Sequence, residues 1–105
     1  MEALCALEYG LYMVKVTVKF MSIARQRAGT GGVEFSSPRD RLGDVLKEIV
    51  KEYKIEGVIL NEDGEVRPWA RVLVNGRSQQ FMGGLDAELH DGDRIALIYP
   101  YTENF

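Results

Sequence analysis

The sequence contains very few of the residues from which metal and catalytic centres are built. Its 105 residues include one cysteine and one histidine, so it offers neither a cysteine pair for an internal disulfide nor a zinc-ligand cluster. Cys5 stands near the start of the chain and His90 stands in a turn-like stretch, each without the neighbours that would make it a nucleophile or a ligand. The sequence therefore predicts no catalytic residue, no metal site and no cofactor.

Long apolar runs and a strong charge of one sign are also missing. No segment approaches the ~20 apolar residues that a membrane helix requires, and Met1–Tyr12 has no basic region of the kind that opens a signal peptide. The net charge is -3 and the basic residues are scattered, which argues against nucleic acid as a partner. We expect a cytoplasmic protein that binds neither membranes nor nucleic acid.

The motifs of common enzyme classes are missing as well. The sequence has no His-Glu-x-x-His, no Gly-x-Ser-x-Gly and no Walker loop. Gly29, Gly31 and Gly32 do not open a helix with phosphate-loop spacing, so they indicate a hairpin turn. The acidic turn Asn61–Glu65 lacks the spacing of a calcium-binding loop. We do not expect this chain to be an enzyme.

What is present is the patterning of one folded domain. Hydrophobic residues make up 46% and charged residues 28% of the chain, which is ordinary for a protein with a packed core. Apolar and polar residues alternate over Val14–Met21, and strand character resumes at Val33–Phe35, so the two segments predict a β-hairpin with a flexible connection. Met1–Tyr12 is interpreted as a terminal extension or as the product of an early start codon, and the domain is expected to span residues 13–105.

One segment has the periodicity of an amphipathic helix. From Leu42 to Tyr53, apolar residues recur at positions i, i+3, i+4, i+7, i+8 and i+11. Asp40 is the predicted N-cap, and Gly43 indicates close packing of the helix against a sheet. Lys54–Leu60 is compatible with a short helix or with a turn. Further strands are predicted at Ala70–Val74, Leu85–Leu89 and Arg94–Tyr99.

Three stretches, in this order, resemble the MoaD-like family, the small subunits of molybdopterin synthase. They are Val14–Gly29, the Asn75-Gly76 turn after a strand, and Gly83–Pro100. In the last stretch a Leu-Asp pair, an Asp-Gly-Asp turn and an apolar strand ending at a proline follow one another, as is typical of the family. The resemblance covers about residues 13–102. It implies an α+β, ubiquitin-like β-grasp fold with a mixed sheet of four to five strands and one principal helix, in agreement with the periodicities.

The resemblance also implies a small sulfur carrier in molybdopterin or tungstopterin cofactor synthesis. In the family, an activating enzyme adenylates a terminal Gly-Gly, which becomes a thiocarboxylate and enters the large synthase subunit. Here Glu103-Asn104 stands near the expected place of those glycines, and a channel shaped for glycine should reject such side chains. We therefore expect a non-catalytic protein-binding partner that has lost sulfur transfer.

We expect the partner to bind through a face of the sheet and through the end of the chain, because aromatic side chains are favoured interface anchors. The alternative, given equal weight, is that these aromatic residues pack on their own domain. The resemblance implies the large synthase subunit, an activating enzyme, or a molybdenum or tungsten oxidoreductase as the partner. The predicted binding residues are Tyr99, Pro100, Tyr101, Thr102, Glu103, Asn104 and Phe105.

Two other functions stay open. The first is an active sulfur carrier or ubiquitin-like modifier, which requires a C-terminus that can be activated. The second is a self-associating structural protein, because a β-grasp sheet has exposed edges and Met1–Tyr12 could add a strand to a neighbouring copy.

Overall fold

A five-stranded mixed sheet forms the framework of the part of the chain that the computed structural model describes, residues 13–99. The strands are β1 (Val14–Ser22), β2 (Gly32–Ser37), β3 (Arg71–Val74), β4 (Arg77–Ser78) and β5 (Arg94–Tyr99). Their order is β2-β1-β5-β3-β4. The central pair β1 and β5 is parallel, whereas β1–β2, β3–β5 and β3–β4 are antiparallel. The predicted hairpin of the first two strands and the predicted last strand are confirmed.

Alternation along β1 separates a buried face of the sheet from an exposed one. Val16, Val18 and Phe20 are almost completely buried, whereas Lys15 and Lys19 between them are exposed. Successive side chains of a strand point to opposite faces, so this pattern directs the apolar set toward the core. Burial of each such side chain contributes about 1.5–3 kcal/mol. The same alternation continues in β3 and β5.

The principal helix covers the buried face. Residues 13–99 contain two α-helices, α1 (Ile23–Ala28) and α2 (Leu42–Glu52). The predicted apolar stripe of α2 is confirmed, and its last member, Tyr53, lies with its ring centroid 5.3 Å from that of Phe20 in β1. The buried residues of α2 are Leu42, Val45, Leu46, Ile49 and Val50.

The connection between β1 and β2 contains a helix that the sequence analysis did not predict. We expected a flexible turn, but Ile23–Ala28 forms α1. The helix ends at Gly29, which adopts a left-handed conformation with φ 79° and donates its N–H to the carbonyl oxygen of Arg25 at 3.0 Å. Only Ala24 is buried in this short helix, so its sequence carries no apolar stripe that periodicity could detect.

The start of α2 differs from the prediction that Asp40 caps it. The helix begins at Leu42 with Arg41 in the N-cap position, and no side chain caps it. Asp40 is used elsewhere, because its carbonyl oxygen accepts the N–H of Leu89 at 2.6 Å, and Arg41 forms an isolated bridge with Glu88. Pairing with residues 88–89 therefore holds residues 40–41 extended, and the helix begins only at Leu42.

Gly43 allows a close approach, but its neighbour is not the sheet. A methyl group at this position would lie 3.0 Å from Cβ of Leu85 and 3.2 Å from its carbonyl oxygen. Leu85 belongs to the 3₁₀ helix Gly84–Asp86, so the predicted strand at Leu85–Leu89 is wrong. Leu89 and Ala87 still fill core positions, which explains why the apolar pattern resembled a strand.

Lys54–Leu60 forms turns rather than a helix. Ile55, Val58 and Ile59 are buried in it, and Leu60 forms an isolated bridge with Val66. Residues 1–12 and 100–105 lie outside the described residues, so the terminal extension and the self-association through it stay predictions.

Candidate protein-binding face

The face of the sheet opposite α2 presents polar and apolar side chains outward, and we call it the open face. Strand registers place its members side by side: Thr17 opposite Arg94, Lys19 opposite Ala96, and Met21 opposite Ile98. The register of β3 with β5 extends two of these rows. The open face consists of Lys15, Thr17, Lys19 and Met21 of β1, Glu34 of β2, Arg71 and Leu73 of β3, and Arg94, Ala96 and Ile98 of β5.

Apolar residues occupy the centre of the open face. Ala96 lies between Lys19 of β1 and Leu73 of β3 in the strand registers, and Ile98 lies directly opposite Met21. Met21 is 40% exposed, whereas Leu73, Ala96 and Ile98 are half-buried. Outward positions of a solvated strand usually carry polar residues, so these apolar residues make the open face a candidate binding surface.

Cations surround this apolar centre. Lys15, Lys19 and Arg94 are exposed on the same face, and the acidic member, Glu34, lies 3.8 Å from Nζ of Lys15. A concavity of about 410 Å³ on this face is lined in part by Lys19, Leu73 and Arg94. The arrangement suits a protein surface with an apolar projection and acidic neighbours, since opposite charges steer partners and fix their orientation.

The Asn75-Gly76 turn borders the concavity of the open face and supports it structurally. Asn75 (φ 54°) and Gly76 (φ 86°) both adopt left-handed conformations, as a tight two-residue hairpin requires. The amide of Asn75 donates from Nδ2 to Oδ1 of Asp93 at 3.0 Å and accepts the N–H of Arg94 through Oδ1 at 2.9 Å. These bonds fix the β3–β4 turn to the start of β5.

The Asp91-Gly92-Asp93 turn has the same structural role. Oδ1 of Asp91 accepts the backbone N–H of Lys15 at 2.8 Å, and Oδ2 of Asp93 accepts the N–H of His90 at 2.8 Å. The carbonyl oxygen of Asp93 accepts the N–H of Thr17 at 3.0 Å. The residues that carry the family resemblance at this turn therefore set the register between β1 and β5.

The predicted binding tail begins at the centre of the sheet. β5 lies between β1 and β3, and Tyr99 stands opposite Ser22 at the end of β1. Tyr99 is half-buried and packs against the core, so this residue contacts its own domain. The remaining predicted residues, Pro100–Phe105, lie outside the described residues, and their part in binding stays a prediction.

Sequence reasoning predicted contact through a sheet face, but it named binding residues only in the tail. The signal was present in Met21, Ala96 and Ile98, which occupy outward positions of otherwise alternating strands. Within residues 13–99 no group of three or more histidine, cysteine, aspartate or glutamate residues could hold a metal ion. Among the same residues, no helix is long and apolar enough to cross a membrane.

Comparison with known proteins assigns the family. The model of the ThiS family matches residues 18–102, and the chain belongs to this family of ubiquitin-like β-grasp proteins. It is 32% identical over 88 residues to small archaeal modifier protein 3 of Haloferax volcanii, which covers 83% of this chain and 96% of that protein.

Solved structures agree with this assignment. A Pyrococcus furiosus protein provisionally assigned as molybdopterin converting factor subunit 1 matches with a TM-score of 0.67 and 32% identity, over 85% of this chain and 99% of its own. Small archaeal modifier protein 1 of Haloferax volcanii matches with a TM-score of 0.72 and 26% identity, over 83% and 98% of the two chains. The β-grasp fold and the MoaD-like resemblance predicted from the sequence are confirmed.

Proposed function

We propose that this protein is a non-catalytic, ubiquitin-like binding partner in molybdopterin or tungstopterin cofactor synthesis. It binds a partner protein through the open face and through the tail that follows Tyr99. The observation that carries the proposal is the open face itself, an apolar centre at Ala96 and Ile98 surrounded by cations. The pathway is supported by similarity to the Pyrococcus furiosus protein.

The position of β5 supports binding of one partner by both the open face and the tail. β5 supplies Arg94, Ala96 and Ile98 to the open face and then leads directly into the tail. A partner that covers the centre of the sheet is therefore adjacent to the start of the tail at Tyr99. Such a two-part contact buries apolar side chains and pairs charges around them, as stable interfaces do.

The test is affinity capture from native lysate with two variants of equal charge. Lys19→Glu combined with Arg94→Glu reverses the charge of the open face, and the matched control, Lys51→Glu combined with Lys54→Glu, changes residues outside it. We expect the wild type and the control to recover a large synthase subunit, an activating enzyme or a molybdenum or tungsten oxidoreductase. The open-face variant should recover at least about tenfold less, because both attraction and steering are lost. Equal recovery by both variants would rule out the open face.

The tail is tested separately. Alanine at Tyr101 and Phe105 should weaken binding of the same partner if these residues are anchors, because truncation of an aromatic anchor usually costs at least about 2 kcal/mol of binding free energy. Binding that is unchanged in this double variant assigns the contact to the open face alone.

A second candidate function is that of a sulfur carrier or protein modifier. It is favoured by the similarity to small archaeal modifier protein 3. Incubation with ATP, an activating enzyme and a sulfur donor, followed by intact mass measurement, separates the two candidates. A thiocarboxylate mass supports the carrier, whereas an unmodified mass alongside a captured partner supports the binding role.

A further inference from the structure

The strand β2 forms an edge of the sheet that is unpaired within residues 13–99. It stands at the end of the strand order, and its only strand neighbour among these residues is β1. β2 has six residues, whereas β4 at the opposite edge has only two. An edge strand exposes backbone N–H and C=O groups that can pair with another chain. The longer edge therefore offers the larger surface for such pairing.

The hydrogen bonds of β1 show which backbone groups of β2 point outward. The N–H of Phe20 in β1 donates to the carbonyl oxygen of Gly31, just before β2, at 3.1 Å. Along an antiparallel strand, residues alternate between bonding to the neighbouring strand and directing their N–H and C=O groups away from it. Counted from Gly31, the odd-numbered residues of β2 bond to β1. The residues whose backbone groups point to the free edge are Gly32, Glu34 and Ser36.

The free edge is limited at both ends. The N–H of Gly32 donates to Oγ1 of Thr30 at 3.3 Å, and the carbonyl oxygen of Gly32 accepts the same hydroxyl at 3.2 Å. Pro38, directly after β2, has no N–H to donate. Within residues 13–99, no hydrogen bond occupies the outward backbone groups of Glu34 and Ser36. The edge therefore presents two donors and two acceptors.

These four groups complement themselves about a two-fold axis at Phe35. In this antiparallel register, Glu34 of each copy faces Ser36 of the other, and each such pair exchanges two N–H···O bonds. A register centred on Glu34 would place two like charges opposite each other. A register centred on Ser36 would place Glu34 opposite Pro38, which lacks an N–H. The register at Phe35 uses all four groups and avoids both conflicts.

The side chains favour the same register. Phe35 is half-buried and packs against the core, and it would meet its own copy as a non-hydrogen-bonded pair, in which side chains approach most closely. On the open face, Lys15 stands opposite Ser36, and its Nζ lies 3.8 Å from Glu34. Across the axis, only the small Ser36 would separate Lys15 from Glu34 of the second copy. The two lysines and two glutamates therefore alternate in charge around the axis.

We infer that this protein pairs with a second copy of itself, β2 against β2, about a two-fold axis at Phe35. The product is one continuous sheet with five strands from each copy. The axis is perpendicular to the sheet, so both open faces lie on one side and remain available to a partner. A contact of this size is expected to be weak, with a dissociation constant on the order of 0.1 mM.

Amide hydrogen exchange of the full chain measures this pairing residue by residue. The N–H groups of Glu34 and Ser36 should exchange rapidly in dilute solution, and their rates should fall severalfold between about 10 µM and about 1 mM protein. The N–H groups of Val33 and Phe35, which bond to β1, are the internal control and should be protected throughout. Rapid exchange at all four concentrations of a dilution series would overturn the inference. Equal protection of Glu34 and Ser36 at every concentration would also overturn it, because the edge would then be covered within one chain.

Proline variants test the edge by sedimentation equilibrium. Ser36→Pro removes an outward N–H from each copy and no bond to β1, and should raise the dissociation constant at least about tenfold. Ser78→Pro on β4 is the matched control, because φ -62° at this position suits proline, and it should leave association unchanged. If Ser36→Pro does not fold, Glu34→Lys replaces it, since it places only lysines around the axis and should weaken association as much. A folded edge variant that associates as strongly as the wild type would overturn the inference.

Discussion

The two faces of the sheet are built from the same strands but differ in how deeply their side chains are buried. On the face toward α2, residues such as Val18, Ile95 and Leu97 are fully buried, and they belong to one continuous core. On the open face, Met21 and Ala96 have the same apolar character but remain partly exposed. A residue toward α2 therefore contributes to stability, whereas a residue on the open face is available for binding.

The largest effect is expected from truncation on the covered face. Leu97→Ala removes a fully buried side chain of β5 and should lower the free energy of unfolding by about 2–5 kcal/mol, through lost burial and the cavity left behind. Met21→Ala on the open face is the matched control and should change it by less than about 0.5 kcal/mol. Urea unfolding measures both. Similar losses in the two variants would remove the distinction between the faces.

A smaller loss of stability is expected at Gly43, where α2 approaches the 3₁₀ helix Gly84–Asp86. Gly43→Ala places a methyl group 3.0 Å from Cβ of Leu85, and overpacking of this kind costs about 1–3 kcal/mol. Helix propensity alone predicts the opposite sign, a gain of about 1 kcal/mol. Thermal unfolding distinguishes the two, and a raised midpoint would mean that Leu85 moves aside freely.

A loss of stability that is no larger than that at Gly43 is expected at the Asn75-Gly76 turn, which supports the open face. Asn75→Ala removes the bonds to Asp93 and Arg94 and places alanine at φ 54°, so we expect a loss of about 1–2 kcal/mol. Asn75→Gly is the control, because it loses the side-chain bonds but tolerates the backbone. If alanine and glycine are equally destabilising, the hydrogen bonds account for the effect and the backbone conformation does not.

The smallest change is expected to be a gain in stability at Ser22. This residue has φ 59° and ψ -132°, a conformation that is strained for any side chain. Ser22→Gly should raise the free energy of unfolding by about 1 kcal/mol, after allowance for the greater freedom of glycine in the unfolded chain. Differential scanning calorimetry measures it, and Ser36→Gly on the exposed edge strand β2 should destabilise instead. A lower free energy of unfolding in both variants would show that the backbone at Ser22 is not strained.

The sequence by itself determined the elements whose patterns are long and strictly periodic. The alternation in Val14–Met21, the helical series from Leu42 to Tyr53 and the strand Arg94–Tyr99 were predicted where the structure places them, because each buries one face against the same core. The ordered motifs of the family added the β-grasp topology. Asn75-Gly76 also specified its turn directly, since only few residues accept positive φ.

Only the tertiary structure decided the features that depend on residues far apart in the chain. Asp40 lost the cap position because Leu89 engages its carbonyl oxygen, and Gly43 faces Leu85 rather than the sheet. The open face combines residues of four strands, from Lys15 to Ile98, so no single segment shows it. Nε of Arg67 is buried and has no hydrogen-bond partner among residues 13–99, and this too is decided by the fold, because burial is a property of the surroundings and not of the residue.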